Sequence, residues 1–454
     1  MSQNQHLNIL GGSENVTYSV SGDFLENTGI VINSSFKRFS TRSNISVKVS
    51  DKIKVGLNTF LTFTKDNPVP LNARGATGSP VYAALIFGPT RPIFEVDGSY
   101  SQPDGFYGSV TDYNPVALAN EPIRNNYTNS MIINPSINYE IIEGLNLNIM
   151  GSYQMFDTEN SEYINEKINN GGEKDRRAGI FNSKWISYQN TNRLSYEKEF
   201  NKKHNLQITG VFEQQIQKYN DSWAGSSNFL TNAVTYNNLF LGATESKPTS
   251  SRDESSIQSF MGRLTYAFDD RYSVTFTGRS DEASVFSDNN KRAFFPSAGF
   301  AWNISNEDFL KDSDIISNLK LRGGYGEVGN AAIGPYQTLS RLETGNDFSF
   351  SGTNVNTGLA LSTQAPNPNL KWETTASYNV GVELSMYNGR INFTGDYYNK
   401  TTSDLLLNRA LNQASGFQSQ LVNAGKVENK GVEFSLSLTP VRNENFNWNS
   451  DIVF

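Results

Sequence analysis

Residues 370–400 read LKWETTASYNVGVELSMYNGRINFTGDYYNK. Trp372, Ala376, Tyr378, Val380, Val382, Leu384 and Met386 occupy even positions, while Glu373, Thr375, Ser377, Asn379, Glu383 and Ser385 occupy odd ones. Successive residues of a strand point to opposite faces, so this alternation describes a strand with one apolar and one polar face. Asn388-Gly389 then marks a tight hairpin turn. Beyond it Ile391, Phe393 and Tyr397 share one face, and Asn392, Thr394, Asp396 and Lys400 the other. Each arm exceeds the ~5–6 residues of an average soluble strand. Each is long enough for the ~9–11 residues that cross a bilayer at a tilt. On this reading Val382→Arg is costly and Glu383→Arg is mild.

The composition fits such a wall. Of 454 residues, 18% are charged and 37% apolar, both below the usual share in a soluble domain. A barrel wall with a wet interior needs only every second residue apolar. A net charge of -7 argues against a nucleic-acid partner. The absence of cysteine removes disulfides and thiolate metal sites. With His6 and His204 as the only histidines, a histidine-based zinc site is not expected. No Ser-His-Asp or Cys-His arrangement can be assembled, so neither enzyme activity nor a cofactor is expected. The longest apolar run, residues 81–87, is far short of the ~18 residues of a membrane helix. The opening MSQNQHLNIL lacks the basic and apolar regions of a signal peptide. For a membrane barrel this places the expected start of the protein upstream.

The same alternation recurs along the chain. Strands are read through Leu7 and Ile9, through Val16 to Phe24, Ile45 to Val49, Val55 to Phe63, Ile133 to Ile141 and Leu145 to Tyr153. They continue over about 184–198, 204–219, 256–268, 271–280 and 294–305, then 319–325, the quoted hairpin, 432–438 and 446–454. Residues 306–317 break the period of two and read as a short helix. The links alternate in length. Short ones fall at 51–52, 143–144, 201–203, 269–270, 388–389 and 440–445. Long ones fall at 65–127, 157–183, 220–254, 281–291, 328–369 and 401–419. The first long link holds eight of the prolines, which strands tolerate poorly. Short turns at one end and long loops at the other are the pattern of an outer-membrane barrel.

Four stretches carry a closer resemblance: FFPSAGFAWNISNEDFL (294–310), LKLRGGYGEVGN (319–330), the run 367–407 and NAGKVENKGVEFSL (423–436). The opening HLNILGGSENVTYSVSGDF from His6 is similar too. Together they resemble the barrel of the SusC/RagA family of TonB-dependent outer-membrane transporters of Bacteroidetes. The resemblance implies an all-β fold: an antiparallel transmembrane β-barrel in the cell outer membrane. About 15 strands are countable against the 22 of a plugged transporter, so the barrel is expected to be incomplete, with its plug domain absent. Residues 1–14 are then the tail of that plug or its linker, and 15–454 the partial barrel. A rival reading counts residues 5–10 as a strand of a complete 16-stranded barrel; it would put both chain ends outside the cell, against the usual arrangement. The function implied is TonB-dependent import of a bulky nutrient, an oligosaccharide first and a peptide second. The implied partners are a SusD-like surface lipoprotein, the TonB complex (through the N-terminal region not in this chain) and outer-membrane lipid. The alternative is a structural or adhesive surface barrel without active transport.

Single residues carry less. Gly324, Gly326 and Gly329 spell G-x-G-x-x-G, but a dinucleotide site needs a helix directly after it; a bend or bulge in the strand is the expected role. The pairs Glu159/Glu162 and Asp269/Asp270 could serve as hydrolytic carboxylates or calcium ligands, and solvated loop charges are the simpler reading. Trp302, Trp372 and Trp448 lie near strand ends on apolar faces, as interface aromatics do. Trp223, Tyr236 and Phe240 fall in a long link, where they could stack on a sugar ring or meet a lipoprotein partner, or pack the loop on itself.

Overall fold

The computed structural model describes residues 1–70, 78–101, 113–168, 176–350 and 353–454. Parts of the expected long loops, at 71–77, 102–112, 169–175 and 351–352, lie outside the described residues. The first strands are β1 (Ser2–Gly12), β2 (Val16–Thr28), β3 (Ser35–Lys48) and β4 (Ile53–Asn67), followed by two short helices, α1 (Pro80–Ile86) and α2 (Pro115–Asn120). Next come β5 (Ile123–Ile142), β6 (Leu145–Ile164), β7 (Arg177–Phe200), β8 (His204–Phe229) and β9 (Gly242–Phe268). Then follow β10 (Tyr272–Ala283), β11 (Arg292–Asn303), β12 (Ile316–Asn330), β13 (Leu342–Phe350), β14 (Thr353–Leu361) and β15 (Gln364–Ala365). The last are β16 (Glu373–Met386), β17 (Ile391–Ser403), β18 (Leu406–Ala410), β19 (Ser419–Asn423), β20 (Lys426–Arg442) and β21 (Asn447–Val453).

Among the described residues, sixteen strands form one barrel-type sheet, in the order β1 to β12, β16, β17, β20, β21. β13 and β14 form a separate hairpin, and β15, β19 and β18 a small sheet. No described helix is long and apolar enough to cross a membrane. The chain divides into two compact units: Met1–Ile137, Met150–Gln189 and Gln217–Glu254; and Asn138–Ile149, Asn190–Ile216 and Ser255–Phe454.

In the first unit, cross-strand register lines up like with like. Phe24 lies opposite Phe39, which lies opposite Phe63; Tyr18, Ile45 and Leu57 form a second row. In the second unit Leu319, Leu384, Phe393, Leu436 and Ile452 make one row, and Tyr272, Trp302, Leu321 and Val382 another. Such pairs are the unit of sheet stabilisation. These faces are uncovered by protein: Phe39 is 49% exposed, Phe276 54% and Val380 53%. Water would penalise so large an apolar surface, and lipid would not. One residue along, the opposite face is polar: Lys320 meets Glu383, and Arg322, Gly381, Asp396 and Glu433 share one row.

Four of the short links, at 143–144, 201–203, 269–270 and 388–389, turn through left-handed backbone. Asp269 and Asp270 have φ of 54° and 52°, and Gly144 has φ of 80°. At the hairpin from which the reading began, Tyr387, Asn388 and Gly389 all have positive φ. Positive φ at successive residues gives the turn a twist matching that of the strands it joins.

Several expectations are corrected. Strands reach well into the stretches read as loops: β6 runs to Ile164, β8 to Phe229, and β9 starts at Gly242. Outside an apolar band both faces can be polar, so alternation fades while pairing continues. For the same reason β1 occupies Ser2–Gly12 and pairs with β2 along eleven residues, where only residues 5–10 were readable; its opening SQNQH is polar on both faces. From Val16 onward the sheet has fifteen described strands, the number that alternation counts from residue 15 on, and β1 is a sixteenth. The helix expected over 306–317 is a single 3-10 turn, Ile304–Asn306. Ser313 Oγ accepts from the amides of Ile315 and Ile316, a local bond that competes with helix. Gly324, Gly326 and Gly329 lie in β12, whose register against β16 is unbroken from Asn318 to Asn330. There is no bulge there. At Gly329 a Cβ would overlap the Phe295 ring.

Candidate binding site at the long-link end

Arg124, the second residue of β5, is the centre of the site. Its Nε donates to Glu162 Oε1 at 2.6 Å. Its side chain is 11% exposed, while that of Glu162 is 41% exposed. The Arg124 Nη2 atom is buried with no hydrogen-bond partner. A buried guanidinium donor without an acceptor costs free energy until something supplies one.

Trp223, in β8, comes next to it. The indole packs close on two glycines: a Cβ at Gly225 would stand 2.6 Å from the ring, and one at Gly179 3.2 Å from Nε1. Only glycine lets the large ring seat so closely. Trp223, Asn126, Asn160 and Phe181 join Arg124 and Glu162 around a cavity of about 270 Å³. Arg124 also borders a second cavity, of about 290 Å³, with Asn33, Asn67, Asn120 and Asn125. Asn33 Nδ2 donates to Ala119 O at 3.2 Å and to Asn120 Oδ1 at 2.9 Å. Asn67 Oδ1 is buried without a partner. All these residues belong to the first unit.

A small core stiffens this end. Tyr163, Ala178 and Phe229 are buried together, with Val234, Tyr236 and Leu239 against them. Around it Arg176 grips Glu166 with two bonds, of 2.7 and 2.9 Å, and donates to Phe229 O at 2.8 Å. Asn232 donates to Glu166 and accepts from the Tyr163 hydroxyl. The Arg176 bonds hold the Glu166 carboxyl down to about 2, against the opposing effect of burial.

Each residue singled out from sequence now has a place. Trp223 is on a strand, not in a loop, and lines the first cavity. Tyr236 packs on the small core, and its hydroxyl accepts from Asn125 Nδ2 at 2.8 Å; it supports the second cavity. Phe240 sits in a single 3-10 turn and is 86% exposed. Trp302 stacks on Tyr272 and donates to Glu307 Oε1 at 2.9 Å, and hydrogen bonds from Tyr272 and Trp302 lower the Glu307 pKa. Trp448 is 53% exposed, on the side of β21 shared with Ile452. Trp372 corrects its expectation. It is only 6% exposed, packed on Phe286 and Phe295, with Nε1 donating to Lys291 O. It precedes β16, so the parity of that strand does not govern it.

The acidic pairs dissolve into separate partnerships. Glu162 pairs with Arg124, Glu159 accepts from Ser161, and Asp269 pairs with Lys203 and Arg271. Among the described residues no group of three or more His, Asp or Glu could hold a metal ion. A larger opening, of about 690 Å³, lies by the short turns at Tyr387, Arg390 and Thr439 in the second unit. Among its described residues no buried side-chain atom lacks a partner. Arg124 and the asparagines gave no sequence signal, being single polar residues spread over several strands, one link and α2.

Comparison with known proteins places this geometry in context. The family described as TonB dependent receptor-like, beta-barrel, matches residues 21–454. TonB-dependent receptor P3 of Formosa agariphila is 36% identical over 99% of this chain, which covers 45% of that protein. TonB-dependent receptor SusC of Bacteroides thetaiotaomicron is 27% identical over 99% of the chain, covering 46% of its own length. The chain thus spans about half the length of these relatives. Among solved structures, that of the RagAB peptide transporter matches the whole chain with a TM-score of 0.85 and 25% identity, over 51% of its own chain.

Proposed function

Because the chain belongs to the TonB-dependent receptor β-barrel family, we propose that it is wall of an outer-membrane importer that takes up a bulky nutrient at the expense of TonB-supplied energy. The observation that carries this reading is the two-faced sheet, with bare apolar rows outside and a charged, hydrogen-bonded face behind them. A lipid-facing wall around a wet passage needs both. The relatives named SusC and RagAB support a SusD-like surface lipoprotein as partner. The cargo is an oligosaccharide first, a peptide second. Trp223 offers the cargo a flat aromatic face, and exposed Phe240 offers the partner an apolar contact. No chemical step is performed on the cargo.

The test is uptake by cells carrying the full-length parent protein. Fluorescent oligosaccharide and peptide pools are offered with and without a proton uncoupler. Energy-dependent accumulation that vanishes on deletion of the parent gene is the expected result. Surface binding without accumulation would instead make this a structural or adhesive barrel.

A further inference from the structure

The apolar outer face of the first unit ends in charge. Along β2, β3 and β4 the row of Phe24, Phe39 and Phe63 is followed, two residues nearer the long links, by Glu26, Lys37 and Lys65, and then by Thr28 opposite Ser35. Two strand residues advance about 7 Å, so the lysines stand at headgroup depth beside chains that cover the phenylalanines. Lys37 and Lys65 lie directly opposite each other, an arrangement in which like charges repel. Lys37 is matched by Glu26 at 2.7 Å, and both side chains remain open to the outside. Lys65 is exposed, with its ammonium over the Tyr127 ring at 5.3 Å. Among the described residues no carboxylate pairs with it. In the second unit, by contrast, Arg292 is met by Glu282 directly opposite, at 2.6 Å. The row therefore holds two cations against one acid. A phosphate accepts from both ammoniums and removes their repulsion, since each has three donors to turn toward it. A phosphate carried by a lipid also lays its chains on Phe39 and Phe63, each about half exposed, which a free phosphate does not. We propose that Lys65 and Lys37 hold the headgroup phosphate of an anionic membrane lipid whose chains run along the phenylalanine row. This inference rests on the lipid-facing reading of the wall and is independent of the cargo.

The full-length parent is reconstituted in phosphatidylcholine vesicles with a trace of photoactivatable lipid, either phosphatidylglycerol or phosphatidylcholine with the same chains. Mass spectrometry of peptides from β3 and β4 reads where each lipid attaches. Phosphatidylglycerol is expected to mark the stretch around Phe39 and Phe63 several times more strongly. Lys65→Gln should cut that preference about fivefold, as loss of one lysine near a charged surface does, and Lys65→Arg should keep it. Glu26→Gln frees Lys37 and should raise the preference, while Arg292→Gln should leave it unchanged. Heat-modifiable migration shows that each variant is folded, and all of these side chains are open to solvent. Equal marking by the two lipids overturns the inference, as does a preference that survives Lys37→Gln and Lys65→Gln together. Loss of the preference on adding inorganic phosphate at constant ionic strength would give the site to a soluble anion and overturn the lipid assignment. Marking of this face without preference would sink the lysine site alone. No marking by either lipid would sink the lipid-facing reading of the wall, and the site with it.

Discussion

Arg322 of β12 bonds Asp396 of β17 at 2.7 Å across the full width of the strand between them. The residue of β16 opposite both is Gly381. A Cβ there would press on Asp396 and stand 3.0 Å from the Arg322 guanidinium. The missing side chain is what lets two charges meet over a third strand. Gly381→Val is expected to break the bridge and overpack the row, costing about 1–3 kcal/mol. Urea unfolding in lipid vesicles measures it; a neutral result would mean that the row relaxes freely.

On the adjacent positions the two faces can be compared directly. Val382→Arg puts a charge on the apolar face and is expected to cost about 2–4 kcal/mol near the midplane. Glu383→Arg, mild on sequence grounds, now faces Arg322 at 3.0 Å and Lys320 at 3.9 Å, so like charges would collide. Glu383→Gln is the fair control and should cost far less than Val382→Arg. Equal losses in vesicle unfolding would defeat the assignment of faces.

Acid should loosen the long-link end. Glu166, held down to about 2 by Arg176, has a folded pKa below its unfolded one. Its contribution is complete above the ordinary glutamate range and is lost as pH falls toward 2. Limited proteolysis around 160–168 and 229–241 should therefore accelerate between about pH 4.5 and pH 2. Glu166→Gln should be looser at neutral pH and flat across that interval; an unchanged profile would show that other carboxylates dominate.

Trp372 fills a compact cluster with Phe286, Phe295, Leu370 and Leu421. Trp372→Ala is expected to cost about 3–5 kcal/mol through the cavity it leaves. An interface tryptophan standing free in lipid would cost much less, so the same unfolding measurement separates the two placements.

Orientation is open to direct test. Epitope tags at 230–238 in the full-length parent should be labelled on intact cells, and tags at Asn388-Gly389 should not. The reverse pattern would invert the topology.

The wall was legible because its physics is local. Within an apolar band every second residue must be apolar, and Tyr378 to Met386 shows that without any tertiary knowledge. The projecting strand ends were not legible, since Ser2 to His6 and the start of β9 have no apolar side to reveal them. Trp372 was misplaced because parity was extended one residue past the strand that enforces it. The cavity between Arg124 and Trp223 was invisible for another reason: β5, β6, β7 and β8 each contribute one to three ordinary residues. Of its lining only Trp223 and Glu162 drew attention, through their chemistry and not their neighbours.

The left-handed turns at 269–270 and 387–389 also bear on how cells dispose of such a protein. A degradative protease binds its target as an extended strand of several free residues, and the backbone at these turns is bent, short and hydrogen-bonded at its ends. If that end faces the periplasm, neither turn offers such a protease a handle. Surveillance would then have to act before the hairpins close, and damage arriving later would persist for the lifetime of the membrane patch.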